Sequence, residues 1–374
     1  MIWLLLFVFV IIWGLLGDSR LNNKSYKIFR ILLVLTISFL PGIGSLIAED
    51  HLSYASYYKS FNISDSLVSL SEIGNSKETI EFGYIFLNYL GHFLFLDIPG
   101  FFFLVSCIIN TFIVIVAYRF PFPVLSIFLF IISPYYFQEA NLVRQSISIS
   151  IFLFSLKYLQ NNNYLKYFFC IILATSFHSS SFMLVALIPL AYFISSEQNY
   201  FKFEKVLLFL WLGSFLIQLG VISFNVFQFF PSIGPFSDMY SSYMYSDSEV
   251  GIVAQADKFY LFNCVISVII AFLLRSNSNN IYTAVYILGA IFTNISFVYP
   301  GAYRFGLYFT FLSPLYITFL LNRNNKYFFI KSRFIQCIFC TVMSLYFYTY
   351  VKNFLFLTPI LGTKLYPLSN FFVK

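Results

Sequence analysis

The chain has 374 residues, of which 60% are hydrophobic and only 10% charged, and its mean hydropathy is +0.82. Soluble domains usually carry about 25% charged residues, and no single soluble core could bury this much apolar surface, so a water-soluble enzyme is excluded. The formal net charge of +7 is less informative than the distribution of the charges along the chain.

The hydropathy pattern predicts an all-α, polytopic integral membrane protein with about twelve transmembrane helices. A helix needs about 20 apolar residues to cross the hydrocarbon core. The predicted spans are 1–17, 31–48, 99–118, 122–136, 142–160, 164–177, 180–194, 205–224, 259–274, 281–298, 304–321 and 334–356. We therefore expect residues 1–374 to form a single integral membrane domain, with long aqueous loops at 49–98 and 225–258.

The Lys and Arg residues of the short loops predict the orientation. With the N-terminus outside, the inner loops hold 14 of the 22 Lys and Arg residues and 3 of the 15 Asp and Glu residues. This topology puts both long loops outside. Because the inner loops are short and no GxxxxGK[ST] loop occurs, a cytoplasmic nucleotide-using domain is excluded. Any chemistry is expected at the outer face or within the membrane.

The segment 81–97 in the first outer loop is apolar but too short to span comfortably. Its polar residues recur at spacings of three and four, which would give a helix one polar stripe; these residues are Glu81, Tyr84, Asn88 and His92. We predict an interfacial helix that lies on the outer surface.

The fifth predicted span begins at the outer surface with an arginine among amide and hydroxyl groups. On a continuous helix Asn141, Arg144, Gln145 and Ser148 would share one face. A guanidinium at the N-terminal end of a helix suits an anion such as a diphosphate. The alternative interpretation is an arginine that reaches to the interface or pairs with the nearby Glu139.

Two more potentially cationic side chains are predicted on the outer side. His178 lies in the polar segment 175–181, where two short helices meet, and Arg304 opens the eleventh predicted span. Together with Arg144 they predict a cationic outer cleft. For His178, a hydrogen-bonded polar group at a helix junction is the alternative.

Six carboxylates are expected near the outer surface: Glu49, Asp50, Glu81, Asp97, Glu139 and Asp257. One of them would suit a general base on a sugar hydroxyl, and a solvated loop charge is the alternative for each. The five cysteines fall in apolar stretches and Asp247-Ser248-Glu249 is a short polar triplet. We therefore predict no disulfide framework, no metal site and no cofactor.

The order and spacing of these residues resemble the EpsG-like, Wzy-type polysaccharide polymerases. Asn141-x-x-Arg144-Gln145, followed by Phe177-His178-x-Ser180, resembles the core of that family. Three flanking elements also resemble it, with Phe82 where Pro is more usual: Asp50-x-x-x-Tyr54, Glu81-Phe82-Gly83-Tyr84-x-x-Leu87-Asn88, and Tyr303-Arg304-Phe305 followed by Tyr308-Phe309. The resemblance covers roughly residues 48–320.

The resemblance implies a glycosyltransferase of the bacterial inner (cytoplasmic) membrane that polymerises O-antigen, capsule or exopolysaccharide repeat units. The growing glycan would pass from undecaprenyl pyrophosphate to a new lipid-linked repeat unit at the outer face. The implied partners are undecaprenyl-pyrophosphate-linked oligosaccharide, the lipid bilayer and a chain-length regulator protein, with no nucleic acid.

We expect the site residues to divide into two groups. Arg144 and Arg304 would clamp the diphosphate with help from His178, which is also a candidate base, as are Asp50 and Glu81. The expected substrate-binding residues are Asn141, Gln145, Tyr54, Tyr303 and Tyr308.

Three other functions remain open from the residues alone. A transporter or flippase of lipid-linked oligosaccharide would also need a cationic cavity, although its cations usually lie deep in the spans. An O-antigen ligase-like glycosyltransferase shares the diphosphate chemistry. A membrane acyltransferase would use His or Arg towards an acyl donor supplied from inside.

Overall fold

The structure is a computed structural model, and it describes residues 23–43, 49–61, 80–120, 122–131, 133–195, 197–218, 280–296, 301–316 and 318. The predicted spans at 1–17, 259–274 and 334–356, and the outer loop 225–258, lie outside these residues. All structural statements below concern the described ranges.

Every described element is a helix, and no strand occurs within these ranges, so the all-α fold class is confirmed. The helices are α1 (Asn23–Ile43), α2 (Glu49–Ser60), α3 (Phe82–Phe93), α4 (Ile98–Ala117), α5 (Pro123–Ile131), α6 (Pro134–Asn141), α7 (Val143–Gln160), α8 (Tyr164–Thr175), a 3₁₀ segment (Ser179–Ala186), α9 (Leu187–Ile194), α10 (Glu197–Gln218), α11 (Asn280–Ser296), α12 (Gly301–Thr310) and α13 (Ser313–Tyr316).

Helix α4 is the one element within the described ranges that is both long and apolar enough to cross a membrane. Its 20 residues would rise about 30 Å, the thickness of the hydrocarbon core. Shorter apolar helices occur at 28–39, 164–175, 179–194, 205–217 and 281–296. The total of about twelve spans remains a prediction.

The predicted span 122–136 is divided into two helices. Helix α5 ends at Ile131, and α6 begins at Pro134 after Ser133, whose φ of −82° and ψ of 158° are extended. A residue before proline is pushed out of the helical region, and proline itself fits the first turn of a helix. The local sequence therefore ends one helix and starts another, where hydropathy alone predicted continuity.

The apolar run 164–194 was predicted to form two short helices that meet in the polar segment 175–181, and this is confirmed. Helix α8 ends at Thr175, and the second piece starts as the 3₁₀ segment at Ser179 before it continues as α9. The intervening residues are held by backbone hydrogen bonds from Phe177 and His178 to the carbonyl of Ala174, both 3.1 Å long.

The chain divides into two compact units, which we describe separately. In the first, α1 packs along α4, and α2, α5 and α6 complete the core together with α3. Its apolar side chains are tightly enclosed, with Leu33, Ile37, Phe101 and Ile113 all buried. In the second unit, α10, α11 and α12 pack side by side, and a buried hydrogen bond of 2.9 Å joins Asn294 to Ser214.

Two arginines of the first unit lie at the end of α4 where that helix finishes. The Arg30 guanidinium sits 3.9 Å from the ring centroid of Tyr118, and Arg119 donates to the backbone carbonyl of Phe154 at 3.0 Å. Both were predicted to lie in inner loops. Phe154 lies eleven residues after Val143, the first residue of α7, so Arg119 contacts that helix far from Arg144.

The stripe of polar residues on α3 faces the protein, which corrects the prediction of a water-facing stripe. Tyr84 and Asn88 are fully buried, and the ring of His92 stacks on Tyr58 of α2 at 4.4 Å between centroids. The opposite side is a stripe of exposed aromatic rings: Phe82, Phe86, Tyr89 and Phe93, between 41% and 64% exposed. The helix also ends at Phe93, because Asp97 caps the next helix by accepting from the Gly100 N–H.

Candidate functional site

Glu81 is the residue that precedes α3, with extended backbone angles of φ −68° and ψ 142°. A carboxylate at this position usually accepts hydrogen bonds from the first N–H groups of its own helix. The Glu81 side chain makes no such bond. It is 15% exposed and points instead towards α7 and the start of the 3₁₀ segment.

Three groups converge on the Glu81 carboxylate. The Arg144 Nη1 lies 2.5 Å from Oε2, and the His178 Nδ1 lies 3.4 Å from Oε1. The backbone N–H of Ser179 donates to Oε1 at 3.3 Å. We call Glu81, Arg144, His178 and Tyr54 the Glu81 cluster. Arg144 is 63 residues from Glu81 along the chain, and His178 is a further 34 residues on, yet both lie next to the same carboxylate.

Tyrosine rings form one wall of the Glu81 cluster. The Arg144 Nε donates to the Tyr54 hydroxyl at 3.4 Å, and its Cζ lies 5.8 Å from the Tyr54 ring centroid. Tyr84 meets Tyr54 edge to face at 5.5 Å and stacks on Tyr57 at 6.0 Å. This packing restrains the guanidinium plane, and aromatic faces also suit a cation.

A glycine allows α3 to approach the polar segment 175–181. The Gly83 N–H donates to the Ser176 carbonyl at 2.6 Å, which satisfies one of the N–H groups that a helix start leaves without a partner. A Cβ at Gly83 would lie 2.7 Å from that carbonyl oxygen and 3.0 Å from Phe177 Cδ1. Only glycine therefore permits the contact that brings Glu81 next to His178.

The electrostatics of the Glu81 cluster favour an ionised carboxylate. Burial alone would raise the pKa of Glu81, but the neighbouring His178 and the charge of Arg144 outweigh it, so that the pKa is lowered. Arg144 lies in the first turn of α7, where the positive end of the helix dipole disfavours a cation. Arg144, His178 and the Ser179 N–H thus surround one carboxylate, and groups of this kind suit a negatively charged partner.

The other predicted residues of the fifth span do not share one exposed face with Arg144. Asn141 is the last residue of α6, and Leu142, with φ −110° and ψ 53°, separates it from α7. Gln145 and Ser148 are buried in the interior. The continuous-helix prediction is therefore wrong for Asn141. Arg144 itself is 28% exposed and pairs with Glu81 rather than with Glu139.

Glu139 was expected near the outer surface and is instead 2% exposed. Its Oε2 accepts hydrogen bonds from Ser106 at 3.3 Å and from the Asn110 amide at 3.1 Å. Both partners are near the middle of α4, so the hydrogen bonds of this carboxyl are made with α4 and not with the Glu81 cluster.

The late arginine element lies in the second unit. Arg304 is exposed and Tyr303 is half-buried in the first turns of α12, while Tyr308 is completely buried. Arg144 belongs to the first unit and Arg304 to the second, so the two-arginine clamp stays a prediction. Asp50 lies in the first turn of α2, and its side chain is outside the described residues.

Sequence reasoning missed the backbone contributions to the site. Backbone groups such as the Ser179 N–H and the Ser176 carbonyl leave no pattern in the sequence. The glycine that permits their contact, Gly83, does stand in the sequence directly after Glu81 and Phe82.

Within the ranges given above, no group of three or more His, Cys, Asp or Glu residues could hold a metal ion.

The ion pairs of Glu81 predict a pH-dependent stability. Since the folded protein lowers the pKa of Glu81 below its ordinary value of 4.5, ionisation stabilises the fold above about pH 4.5, and this contribution is lost as the pH falls through the lowered value. Glu81→Gln should therefore unfold at a lower temperature than wild type at pH 7, by an amount that shrinks near pH 3. The corresponding loss of unfolding free energy at pH 7 should lie between the values for exposed and for buried ion pairs, about 1–3 kcal/mol. Equal melting temperatures at pH 7 would contradict the pairing.

Comparison with known proteins identifies the family of the chain. The sequence model of the EpsG family matches residues 27–370, which include every member of the Glu81 cluster and Arg304. No curated protein and no solved structure matches the chain. EpsG-like proteins are Wzy-type polymerases, membrane proteins of polysaccharide biosynthesis that act on lipid-linked oligosaccharide. With nearly the whole length matched, the chain belongs to the EpsG family.

Proposed function

We propose that this protein is a glycosyltransferase that extends a glycan carried on undecaprenyl pyrophosphate, at the outer face of the bacterial inner membrane. The growing chain would be transferred to the end of a new lipid-linked repeat unit of an O-antigen, capsule or exopolysaccharide. The observation that carries this proposal is the Glu81 cluster, where Arg144 already holds a carboxylate at 2.5 Å.

The chemistry requires no nucleotide, because the lipid diphosphate already activates the donor sugar. A hydroxyl oxygen of the acceptor attacks the anomeric carbon, and the bond from that carbon to the diphosphate oxygen breaks. Negative charge develops on the departing diphosphate, and a guanidinium placed beforehand stabilises it. Arg144 is the primary candidate for this role, with Arg304 as a second cation and His178 as a hydrogen-bond donor.

The Glu81 carboxylate suggests the order of events at this site. A diphosphate carries more charge than a carboxylate and binds arginine in the same bidentate manner. Its arrival would displace Glu81 from Arg144 and leave the carboxylate to accept the proton of the acceptor hydroxyl. Asp50 is the alternative base, and Asn141, Gln145, Tyr54, Tyr303 and Tyr308 are proposed sugar or diphosphate contacts. Chain length would be set by a separate regulator protein.

The decisive experiment uses purified protein in lipid nanodiscs with lipid-linked repeat units as the only substrate. We expect a ladder of lipid-linked products that differ by one repeat unit, with no nucleotide or divalent cation added. Arg144→Ala protein, prepared in the same way, is the control for contaminating polymerase.

Each rival function predicts a different outcome of this assay. A flippase would leave the single units unlengthened in nanodiscs, and in sealed vesicles it would move them across the bilayer. A ligase would transfer a glycan once to a different acceptor, and an acyltransferase would modify units only when an acyl donor is supplied. Any of these results, in place of the ladder, would overturn the proposed polymerase.

A further inference from the structure

The Glu139 carboxyl is a buried titratable group that the proposed mechanism does not use. Its Oε2 accepts from Ser106 and Asn110, and the Asn110 amide also donates to the Ser106 hydroxyl at 3.1 Å. All three residues are at most 3% exposed. The second oxygen, Oε1, is buried without a hydrogen-bond partner among the described atoms.

No cation compensates this carboxyl within the described part of the chain. The ion pairs found there join Glu81 to Arg144 and to His178, and none includes Glu139. An isolated buried carboxylate costs several kcal/mol of desolvation, whereas a proton on the group removes most of that penalty. Burial accordingly raises the pKa of Glu139 well above its ordinary value, although Ser106 and Asn110 oppose the shift.

The titratable groups around Glu139 do not change this conclusion. Cys107 on α4 and Tyr136 on α6 are the neighbours whose charged forms Glu139 would disfavour, and both are ordinarily neutral at pH 7. Helix α5 has no titratable residue. Among the basic side chains that the structure describes on α1 and α2, Arg30 stacks on Tyr118 and Lys59 is exposed.

Glu139 is well placed to position the arginine of the site. It lies two residues before the end of α6, and Arg144 follows in the first turn of α7. The turn is hydrogen-bonded to both helices, since the Leu142 N–H donates to the Gln138 carbonyl at 2.8 Å and the Ser146 N–H donates to the Leu142 carbonyl at 2.7 Å. The start of α6 is fixed independently, because the Tyr136 hydroxyl donates to the Ile37 carbonyl of α1.

We propose that Glu139 is a positioning residue that acts as a neutral carboxylic acid, anchoring the α6–α7 turn to the middle of α4 so that Arg144 meets Glu81. The expected effect of Glu139 on polymer formation rests on the proposed function. The protonation state and the anchoring are properties of the fold and can be measured without substrate.

The test compares wild type, Glu139→Gln and Glu139→Ala, all full-length and in nanodiscs. Glutamine keeps the size, the neutrality and an acceptor oxygen, whereas alanine removes the anchor. Infrared difference spectra of wild type against Glu139→Gln at pH 7 should show the carbonyl band of a protonated carboxylic acid. Difference bands of an ionised carboxylate alone would overturn the neutral form.

The variants should also separate in the ladder assay. We expect Glu139→Gln to keep polymer formation within about threefold of wild type, since it retains the anchor. Glu139→Ala should lose on the order of 100-fold, the scale on which a displacement of about 1 Å acts. Arg119→Ala, which removes a contact to Phe154 of α7, should not. Equal losses in both Glu139 variants would overturn the proposal. If wild type forms no ladder, the polymerase assignment fails, while the infrared result still decides the state of Glu139.

Discussion

Arg144→Ala is expected to abolish polymer formation and leave single lipid-linked units. The substitution removes the guanidinium that contacts Glu81 at 2.5 Å and Tyr54 at 3.4 Å, and with it the group proposed to stabilise the departing diphosphate. Loss of one such donor costs about 100- to 1,000-fold in rate. The measurement is the ladder assay, with the amount of folded protein in the membrane determined in parallel. Normal chain lengths would refute the role of Arg144.

Two further variants distinguish charge, geometry and general destabilisation. Arg144→Lys keeps the charge but not the planar bidentate fork, so activity well below wild type would identify geometry as the requirement. Arg304→Ala tests the second half of the clamp and should also stop polymerisation. Arg119→Ala is the matched control, because Arg119 is another half-buried arginine that contacts α7, but near Phe154.

Gly83→Ala is expected to disrupt the site without the loss of any functional side chain. The new methyl group would lie 2.7 Å from both the carbonyl oxygen and the hydroxyl oxygen of Ser176. The hydroxyl can rotate, but the carbonyl belongs to the backbone that carries His178, so α3 and the polar segment must separate. Overpacking of this kind costs about 1–3 kcal/mol, and separation of Glu81 from His178 should lower activity at least tenfold.

The control for this variant is Gly213→Ala in α10, where no atom lies within 4 Å of the added methyl group. Alanine is favoured over glycine inside a helix by about 1 kcal/mol, so this variant should melt at or above the wild-type temperature. Both variants are compared in thermal unfolding and in the ladder assay. An active Gly83→Ala protein of unchanged stability would show that the close contact is unnecessary.

Composition and charge distribution were sufficient to predict a helical membrane protein and to single out Arg144 and His178, whereas Glu81 was connected with them only by the resemblance to a known family. Each stands beside a helix start or a polar interruption in an apolar sequence, and the cost of burying such groups makes them conspicuous. The pairing itself was not predictable, because the ion pair joins residues 63 positions apart and depends on how α3 packs.

Three predictions were wrong for the same physical reason: a hydropathy pattern does not show which way a side chain points. The polar stripe on α3 has the same period whether it faces water or the protein, and the structure buries Tyr84 and Asn88. The sequence places Glu139 in a loop, whereas in the structure it is buried and accepts hydrogen bonds from Ser106 and Asn110 of α4. Asn141 does not share a helix face with Arg144, because the helix is interrupted at Leu142. The pattern of side chains does not show this interruption.

The exposed aromatic side of α3 makes the geometry of the site depend on the lipid or detergent around the protein. Four rings form that surface, and the first of them, Phe82, directly follows Glu81. An amphipathic helix of this kind keeps its tilt and depth only while an apolar medium covers its rings. The choice of detergent or lipid during purification will therefore act on the carboxylate that holds Arg144, and enzyme stripped of lipid should recover when a bilayer is restored.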